Sequence, residues 1–263
     1  MALVAGGTAA TVAASAETTG MGEIVVTDLD GDAFDDVVAV ERSTGKLWLY
    51  GGGGRVEIGT GGWNGMHDLS GGEFNGDGKA DLVGVEEATG KLWLYPGTGR
   101  GLSGRVEIGT GGWNGMHDLS GGDFNGDGKA DLVGVEEATG KLWLYPGTGS
   151  GLSGRVEIGS GGWNGMHDLV AMDLGDDGKS DVAAVETSTG KLWSYKGTGT
   201  GLETRVEIGS GAWNGMSDLA GGDFVKSEHD DLVGVETSSG TLFVYPGNAT
   251  GLDPRKQIGT ADW

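Results

Sequence analysis

The chain repeats a unit of 50 residues, and this period constrains its fold more than any other feature. Residues 66–115 and 116–165 are the same string except at Glu73/Asp123, Arg100/Ser150 and Thr110/Ser160. One tryptophan recurs at the same spacing in every copy: Trp63, Trp113, Trp163, Trp213 and Trp263. A repeat of this length indicates an array of small units that bury their faces against one another, rather than an asymmetric enzyme core.

Within one unit, apolar runs of strand length alternate with turn sequences. In the copy at 66–115, segments 82–86 and 91–95 flank the turn Ala88-Thr89-Gly90 and predict a hairpin, with further strands at 66–73 and 105–108. No segment has the helical period. Alternate residues of the third strand, Leu92 and Leu94 against Trp93 and Tyr95, make both of its faces apolar. Each four-stranded sheet must therefore be covered on both sides.

These requirements predict an all-β fold, a β-propeller of five four-stranded blades. A ring of stacked sheets covers both faces of every blade and protects the strand edges. The blades are expected at about 21–65, 66–115, 116–165, 166–215 and 216–263. Met21 aligns with Met66, and Trp263 aligns with Trp63, so the last copy runs out where the first begins. An open fragment that pairs with a second chain is the alternative.

Charge and composition narrow the classes of partner. The formal net charge is −22, with 39 acids against 17 bases, a field that repels nucleic acid and anionic membranes and attracts cations. Cysteine is absent, so there is no disulfide framework. Residues 1–20 contain an uncharged small-residue run ending in Ala14-Ser15-Ala16, which predicts a signal-derived or disordered leader. No later segment is apolar enough to insert in a membrane, so we expect a secreted, extracellular monomer.

The strongest chemical signal is an acidic loop that recurs between the first and second strands. We number these loops 1 to 5: residues 28–36, 73–81, 123–131, 173–181 and 223–231. Positions 1, 3 and 5 supply side-chain oxygens, position 7 can supply a backbone carbonyl, and an aspartate at position 9 closes the set. The candidate metal ligands are Asp28, Asp30, Asp32, Phe34, Asp36, Glu73, Asn75, Asp77, Lys79, Asp81, Asp123, Asn125, Asp127, Lys129, Asp131, Asp173, Asp177, Lys179 and Asp181. Hard oxygen ligands at this density suit Ca²⁺, which accepts about six to eight oxygens in flexible geometry.

The loops are not equivalent. Loop 4 has Gly175 at position 3, although Asp176 could compensate, and loop 5 has lost positions 3 and 5 and gained Lys226. The sequence therefore predicts three good Ca²⁺ sites, a fourth that is weaker and a fifth that binds none. The loops are not EF-hands, because strands flank them and no glutamate stands at position 12. A solvated acidic turn is the alternative interpretation.

The run Asp-Phe-Asn-Gly-Asp-Gly-Lys-Ala-Asp-Leu-Val at 123–133, with Gly-Lys-Leu-Trp-Leu-Tyr at 140–145, resembles FG-GAP or VCBS repeats. Such repeats form the calcium-loop blades of integrin α-subunit heads, some fungal lectins and many secreted bacterial proteins. The resemblance covers residues 21–263. It implies a β-propeller with Ca²⁺ held at positions 1, 3, 5, 7 and 9 of each loop. The family commonly has seven blades, whereas five copies stand here, and its members share no single activity.

A second recurring motif could bind a ligand. Its candidate residues are Trp63, Asn64, His67, Trp113, Asn114, His117, Trp163, Asn164, His167 and Trp213. A tryptophan beside Asn, His and Asp can stack on a sugar ring and bind its hydroxyls, and repeated weak sites gain by avidity. The structural alternative, which we favour, is that these tryptophans pack between blades and the aspartate fixes a turn.

Two further series are expected to be structural. The mid-strand series Trp48, Trp93, Trp143, Trp193 and Phe243 is expected in the core. The arginines that begin the outer strand are expected to pair with nearby acids: Arg55, Arg105, Arg155, Arg205 and Arg255.

These observations predict a non-enzymatic, calcium-binding extracellular propeller whose partner is a glycan or a cell-surface protein. Near-identical copies argue against a catalytic site, which needs one asymmetric constellation, and no nucleophile arrangement, P-loop or zinc signature is present. A protein-binding scaffold without a glycan ligand is the alternative. An enzyme with a site on the propeller axis is a third hypothesis.

Overall fold

A computed structural model describes residues 20–261 and 263 of the chain. The predicted leader therefore lies, except for Gly20, outside the described residues. The structure contains five four-stranded antiparallel sheets arranged as the blades of a propeller, which confirms the predicted fold. No helix among the described residues is long and apolar enough to cross a membrane.

The strands follow the repeat. Blade 1 contains β1 (Met21–Thr27), β2 (Asp36–Glu41), β3 (Lys46–Gly51) and β4 (Gly54–Gly59). Blade 2 contains β5 (Met66–Gly72), β6 (Asp81–Glu86), β7 (Lys91–Tyr95) and β8 (Val106–Gly109). Blade 3 contains β9 (Met116–Gly122), β10 (Asp131–Glu136), β11 (Lys141–Tyr145) and β12 (Val156–Gly159). Blade 4 contains β13 (Met166–Met172), β14 (Asp181–Glu186), β15 (Lys191–Tyr195) and β16 (Val206–Gly209). Blade 5 contains β17 (Met216–Gly222), β18 (Asp231–Glu236), β19 (Thr241–Tyr245) and β22 (Lys256–Gln257), and β20 (Gly247–Asn248) pairs with β21 (Gly251–Leu252) beside it. Short 3₁₀ turns precede blades 2 to 5: η1 (Trp63–Gly65), η2 (Trp113–Gly115), η3 (Trp163–Gly165) and η4 (Trp213–Gly215).

The first strand of each blade lines the axis of the ring. Within each blade the strands are hydrogen-bonded in chain order. The inner strands of successive blades contact one another, and β17 of blade 5 contacts β1 of blade 1. The ring therefore closes within one chain, and the open-fragment alternative is wrong.

The apolar core is divided among the five interfaces between blades. Five clusters of buried residues each combine side chains from two adjacent blades, the last of them joining blade 5 to blade 1. At the first interface Leu47 and Leu49 of blade 1 pack with Leu82 of blade 2, and all three are buried. A blade buries apolar side chains on both faces, as the third-strand pattern predicted.

The recurring tryptophans seal these interfaces. Trp63, 8% exposed, packs on Tyr95 of the next blade with 4.6 Å between ring centroids. Trp263 makes the same contact with Tyr50 at 4.9 Å and so joins the last blade to the first. The indole of Trp63 lies directly on Gly59, where any Cβ would collide with the indole nitrogen. Packing between blades, the structural role favoured for this series, is confirmed.

The mid-strand tryptophans lie at the margin of the core instead of inside it. Trp93 is only half-buried. The Arg105 guanidinium covers one face of its ring, 3.9 Å from the ring centroid. Arg105 also pairs with Glu86 at 2.9 Å. Equivalent pairs occur in the other blades, which confirms the predicted pairing of this arginine series with acids.

A bulge in each inner strand links that strand to its neighbour. Asp68 has a φ of 52°, a conformation that costs energy for a residue with a side chain, and the pairing register shifts there. Its Oδ1 accepts a hydrogen bond from the backbone N–H of Leu119 in the next blade, at 3.2 Å. Glu23 accepts from Leu69 at 3.1 Å and donates its own N–H to Asp218 at 2.9 Å, which extends these links across the closure.

We expect Trp263→Ala to lower the free energy of unfolding by about 3–5 kcal/mol, because it removes a buried indole from the interface that closes the ring. Urea denaturation followed by tryptophan fluorescence measures the change. Val206→Ala, at a side chain that is 59% exposed, serves as the control and should change stability by less than about 0.5 kcal/mol. Equal effects of the two substitutions would show that Trp263 does not hold the ring closed.

Candidate functional site

Strand direction places two kinds of candidate site on opposite faces of the ring. The acidic loops connect the end of each first strand to the start of the second. The 3₁₀ turns and the hairpins between second and third strands lie at the other end of the same strands. The predicted metal loops and the tryptophan motifs therefore lie at opposite ends of the strands, on opposite faces of the ring.

Loop 1 is organised by its own carboxylates. Asp28 accepts hydrogen bonds from the backbone N–H groups of Gly31, Asp32 and Ala33 at 2.8, 3.1 and 2.9 Å. Asp36 Oδ2 accepts from Asp30 N–H at 3.1 Å, and also from Leu29 N–H. These bonds hold the loop in a tight turn.

Three carboxylates of loop 1 lie close enough together to share one metal ion. Oxygens at about 2.4 Å from one Ca²⁺ can be no more than about 4.8 Å apart. Among the described residues, one group of three acidic side chains meets this limit: Asp28, Asp30 and Asp36, whose ligand atoms all lie within 4.8 Å of one another. Burial raises the pKa of Asp36 to about 7, and the negative charge of Asp30 is the second-largest cause of this increase. A cation between these groups would offset the energy of burying their charge.

Loops 2 and 3 have the same turn with an asparagine at position 3. Asn75 Nδ2 donates to Asp81 Oδ1 at 2.8 Å, and Asn125 Nδ2 donates to Asp131 Oδ1 at 3.0 Å. A cation in either loop would need the carboxamide rotated so that its oxygen faces the ion. Asp131 is fully buried, which raises its pKa to about 6. The position-9 aspartates also fix the loop to the blade, because Asp81 Oδ1 accepts from Gly97 N–H at 2.8 Å.

Lysines enter loops 4 and 1. In loop 4, Lys196 Nζ lies 3.0 Å from Asp177 Oδ2, and hydrogen bonding to this ammonium lowers the pKa of Asp177. Asp176, the residue expected to compensate for Gly175, is exposed. From loop 5, Lys226 donates to the backbone carbonyl of Ala33 in loop 1. Lys196 was missed by the sequence analysis; its signal is that proline stands at this place in three other copies.

The opposite face carries open clefts between blades. Clefts of about 670, 570 and 440 Å³ lie beside Trp213, Trp163 and Trp113 respectively. The cleft at Trp213 is lined by Trp213, Tyr245, Glu236 and Arg255, although Trp213 itself is only 8% exposed. Arg255 donates to Glu236 at 2.9 Å and to the Tyr245 hydroxyl at 3.4 Å. These volumes fall within the usual range for small-ligand pockets, about 300–1,000 Å³.

The clefts combine predicted and unpredicted residues. Trp113, Trp163 and Trp213 line them, as does Asn214. The sequence analysis identified the arginines only as partners of acids and did not place the third-strand tyrosines in a site. The contribution of these residues could not be recognised, because each comes from the blade after the tryptophan that it faces.

The histidines of the second motif form a network with the neighbouring blade. His67 Nδ1 lies 2.7 Å from Asp68 Oδ2, and His67 Nε2 lies 3.1 Å from Asn114 Oδ1. Asn114 Nδ2 donates to the carbonyl of Glu87 at 2.8 Å, which fixes its oxygen toward the imidazole. Both ring nitrogens therefore face acceptors, and the imidazole must be doubly protonated to satisfy them. The hydrogen bond to Asp68 accordingly raises the pKa of His67 to about 9. His117 and His167 repeat this arrangement.

The axis is nearly filled. A cavity of about 60 Å³ lies there, lined by inner-strand residues such as Leu69, Leu119 and Leu169. Close approach requires glycine, because a Cβ at Gly121 would lie 2.7 Å from the carbonyl oxygen of Gly71. The cavity volume is well below the range of about 300–1,000 Å³ that is usual for small-molecule sites.

Two comparisons concern sequence. The pattern of the FG-GAP-like repeat matches residues 73–134 and 123–184, which span loops 2, 3 and 4. No protein among curated sequences is significantly similar to this chain.

Solved structures share the architecture at low sequence identity. A lectin of Agrocybe aegerita, described as specifically recognising non-reducing terminal N-acetylglucosamine, aligns with a TM-score of 0.54 and 15% identity over 91% of this chain and 66% of the lectin. This chain thus spans just under two thirds of the lectin's length. A luciferin-regenerating enzyme aligns with a TM-score of 0.51 and 8% identity, over 92% of this chain and 76% of the enzyme. At these identities the likeness is one of fold.

We expect the stability that His67 contributes to be lost as the pH rises. The folded-state pKa, about 9, lies above the ordinary value of 6.5, so the contribution is complete below about pH 6.5 and disappears as the pH passes about 9. Thermal melts of the protein and of His67→Gln measure it. The difference in Tm should be largest near pH 6 and should vanish near pH 10. A difference that grows between these pH values would contradict the doubly protonated imidazole.

Proposed function

Because this chain belongs to the β-propellers built from FG-GAP-like repeats, we propose that it is a calcium-stabilised, non-enzymatic propeller that binds carbohydrate outside the cell. The observation that carries the binding part is the set of clefts between blades, each formed by an aromatic pair beside an arginine–glutamate pair. The calcium part is supported by the three carboxylates of loop 1 within 4.8 Å of one another.

Calcium would act on the fold and not directly on the ligand. Loops 1 to 3 hold the oxygen ligands, with position 9 buried in each, and the clefts lie on the other face. Extracellular modules of this kind bind at about 10⁻⁴–10⁻³ M. At about millimolar Ca²⁺ each site then stabilises the fold by about 0.4–1.4 kcal/mol. Three ions would also neutralise six of the charges in an acidic chain of net −22.

The chemistry of the clefts suits an uncharged sugar. Hydrogen bonds from Ser239 and Arg255 lower the pKa of Glu236, so this carboxylate accepts hydrogen bonds while Arg255 donates them. Sugar hydroxyls can satisfy both groups at once, and the partly exposed Tyr245 ring offers an apolar surface for the C–H groups of the sugar. The negative field of the protein disfavours anionic glycans. The sugar-binding lectin that shares this fold supports the proposal that such propellers can carry a glycan site.

A protein partner is the second candidate, and the outer strands favour it. Val56, Val106, Val156 and Val206 repeat around the circumference and are 45–59% exposed. Exposed valines on unpaired edge strands are a surface that a partner chain could cover. The proposed extracellular location rests on the uncharged small-residue run that ends in Ala14-Ser15-Ala16.

We expect calorimetric titration of metal-stripped protein to give about three Ca²⁺ ions per chain. Asp131→Asn should remove one of them, because it takes the closing ligand from loop 3. Asp231→Asn is the matched control, since it makes the same change at position 9 of loop 5, and it should leave the number unchanged. Absence of binding heat, with a Tm that Ca²⁺ does not move, would contradict the calcium part of the proposal.

We expect Arg155→Gln and Arg205→Gln each to weaken binding on a glycan array by about tenfold or more, because each removes a charged hydrogen-bond donor from one cleft. Arg100→Gln, at an exposed arginine outside the clefts, is the control and should bind normally. Thermal melts establish that the variants are folded. A silent array for the unaltered protein, together with specific capture of one purified cell-surface protein, would favour the scaffold.

A further inference from the structure

Loop 4 differs from loops 2 and 3 at two places that meet in space. Gly175 stands at position 3, where Asn75 and Asn125 stand in the preceding copies. Lys196 follows the third strand directly, at the place of Pro96 and Pro146 in those copies. One copy has therefore lost an oxygen ligand and gained an ammonium group.

The place of Lys196 faces the ligands of its own loop. Gly51 occupies the equivalent place in blade 1, and a Cβ added there would touch carboxylate oxygens of Asp30 and Asp36. A side chain attached at this position therefore extends toward the candidate metal ligands of the same loop.

The ammonium group of Lys196 pairs with one carboxylate of loop 4 and lies beside position 3. Nζ is 3.0 Å from Asp177 Oδ2 at position 5. It is also 3.4 Å from the point where a Cβ of Gly175 would stand, and that point is 3.8 Å from Asp173 Oδ1 at position 1. A larger residue at position 3 would meet the ammonium group, so the glycine and the lysine fit each other.

A lysine also stands at position 7 of loops 2 to 4, and in loop 2 it pairs with the aspartate at position 5, Lys79 with Asp77 at 3.6 Å. Lys179, at position 7 of loop 4, directs its side chain between Gly126 of the preceding blade and Gly199. Lys129 pairs with Asp127 at 3.3 Å, but its side chain likewise runs beside a glycine, Gly149, of the adjoining connection. Both are residues of the loop itself, whereas Lys196 enters from across it.

We propose that Lys196 is a built-in cation, whose ammonium group holds loop 4 closed in place of a divalent ion. The ammonium group brings a positive charge to Asp177, and its presence beside position 3 repels a second cation. The ring would then have three loops that bind calcium, loops 1 to 3, and two that do not, loops 4 and 5. The contrast between loop 4 and loops 1 to 3 rests on the proposed calcium function, but the role of Lys196 can be tested without calcium.

The experiment compares Lys196→Met with Lys179→Met, which removes the same charge from the same loop. In EDTA, Lys196→Met should lower the Tm by about 1–3 °C, and Lys179→Met should lower it less, because of the two only Lys196 forms an ion pair with Asp177. Equal shifts for the two variants would overturn the proposal, whether or not the protein binds calcium.

Calorimetry with Ca²⁺ gives the second readout. The double variant Gly175→Asn/Lys196→Pro restores the residues of loops 2 and 3 and should bind one more Ca²⁺ ion than the unaltered protein, four against three. An unaltered protein that binds four would overturn the proposal, as would a double variant that gains none while the other loops bind. If the unaltered protein binds none, the proposed calcium function fails and the comparison in EDTA decides the role of Lys196.

Discussion

The structure depends on the contact between one blade and the next. A four-stranded sheet with two apolar faces cannot be stable alone, so each blade is folded only as part of a stack. The indole of one copy, its tyrosine partner in the next and the buried leucines and valines between them repeat at all five interfaces. Closure between Trp263 and Tyr50 completes the set and removes the ends that an open array would expose to water.

The acidic loops place buried and partly buried carboxylates on this framework. Their position-9 aspartates are buried in every blade and tie the loop to backbone N–H groups. A buried carboxylate beside other carboxylates is costly, and a bound cation or an ammonium group can offset the cost. The five loops differ in this respect: loop 1 gathers three carboxylates, and loop 4 receives Lys196.

The junction between blades 5 and 1 departs from the pattern of the other four. Asp35 replaces the small residue found at position 8 of loops 2 to 4, and burial raises its pKa to about 6. Lys226 crosses this junction to loop 1. Tyr50 is buried here, whereas its counterparts in the other blades are only partly covered. The interface that closes the ring has thus diverged from the repeat more than those in its middle.

The sequence alone determined the five blades, the loops and the two-faced packing, because each follows from a period or an alternation along the chain. It also indicated the arginine–acid pairs. The tertiary structure decided which residues share a site, since Arg255 faces Trp213, and His67 faces Asn114, only after successive copies are stacked. The charge of the histidines and the place of Lys196 depend on the same stacking and on strand ends that lie far apart in the chain. Periodicity along a sequence specifies the unit, whereas contacts between units depend on distances that no local pattern contains.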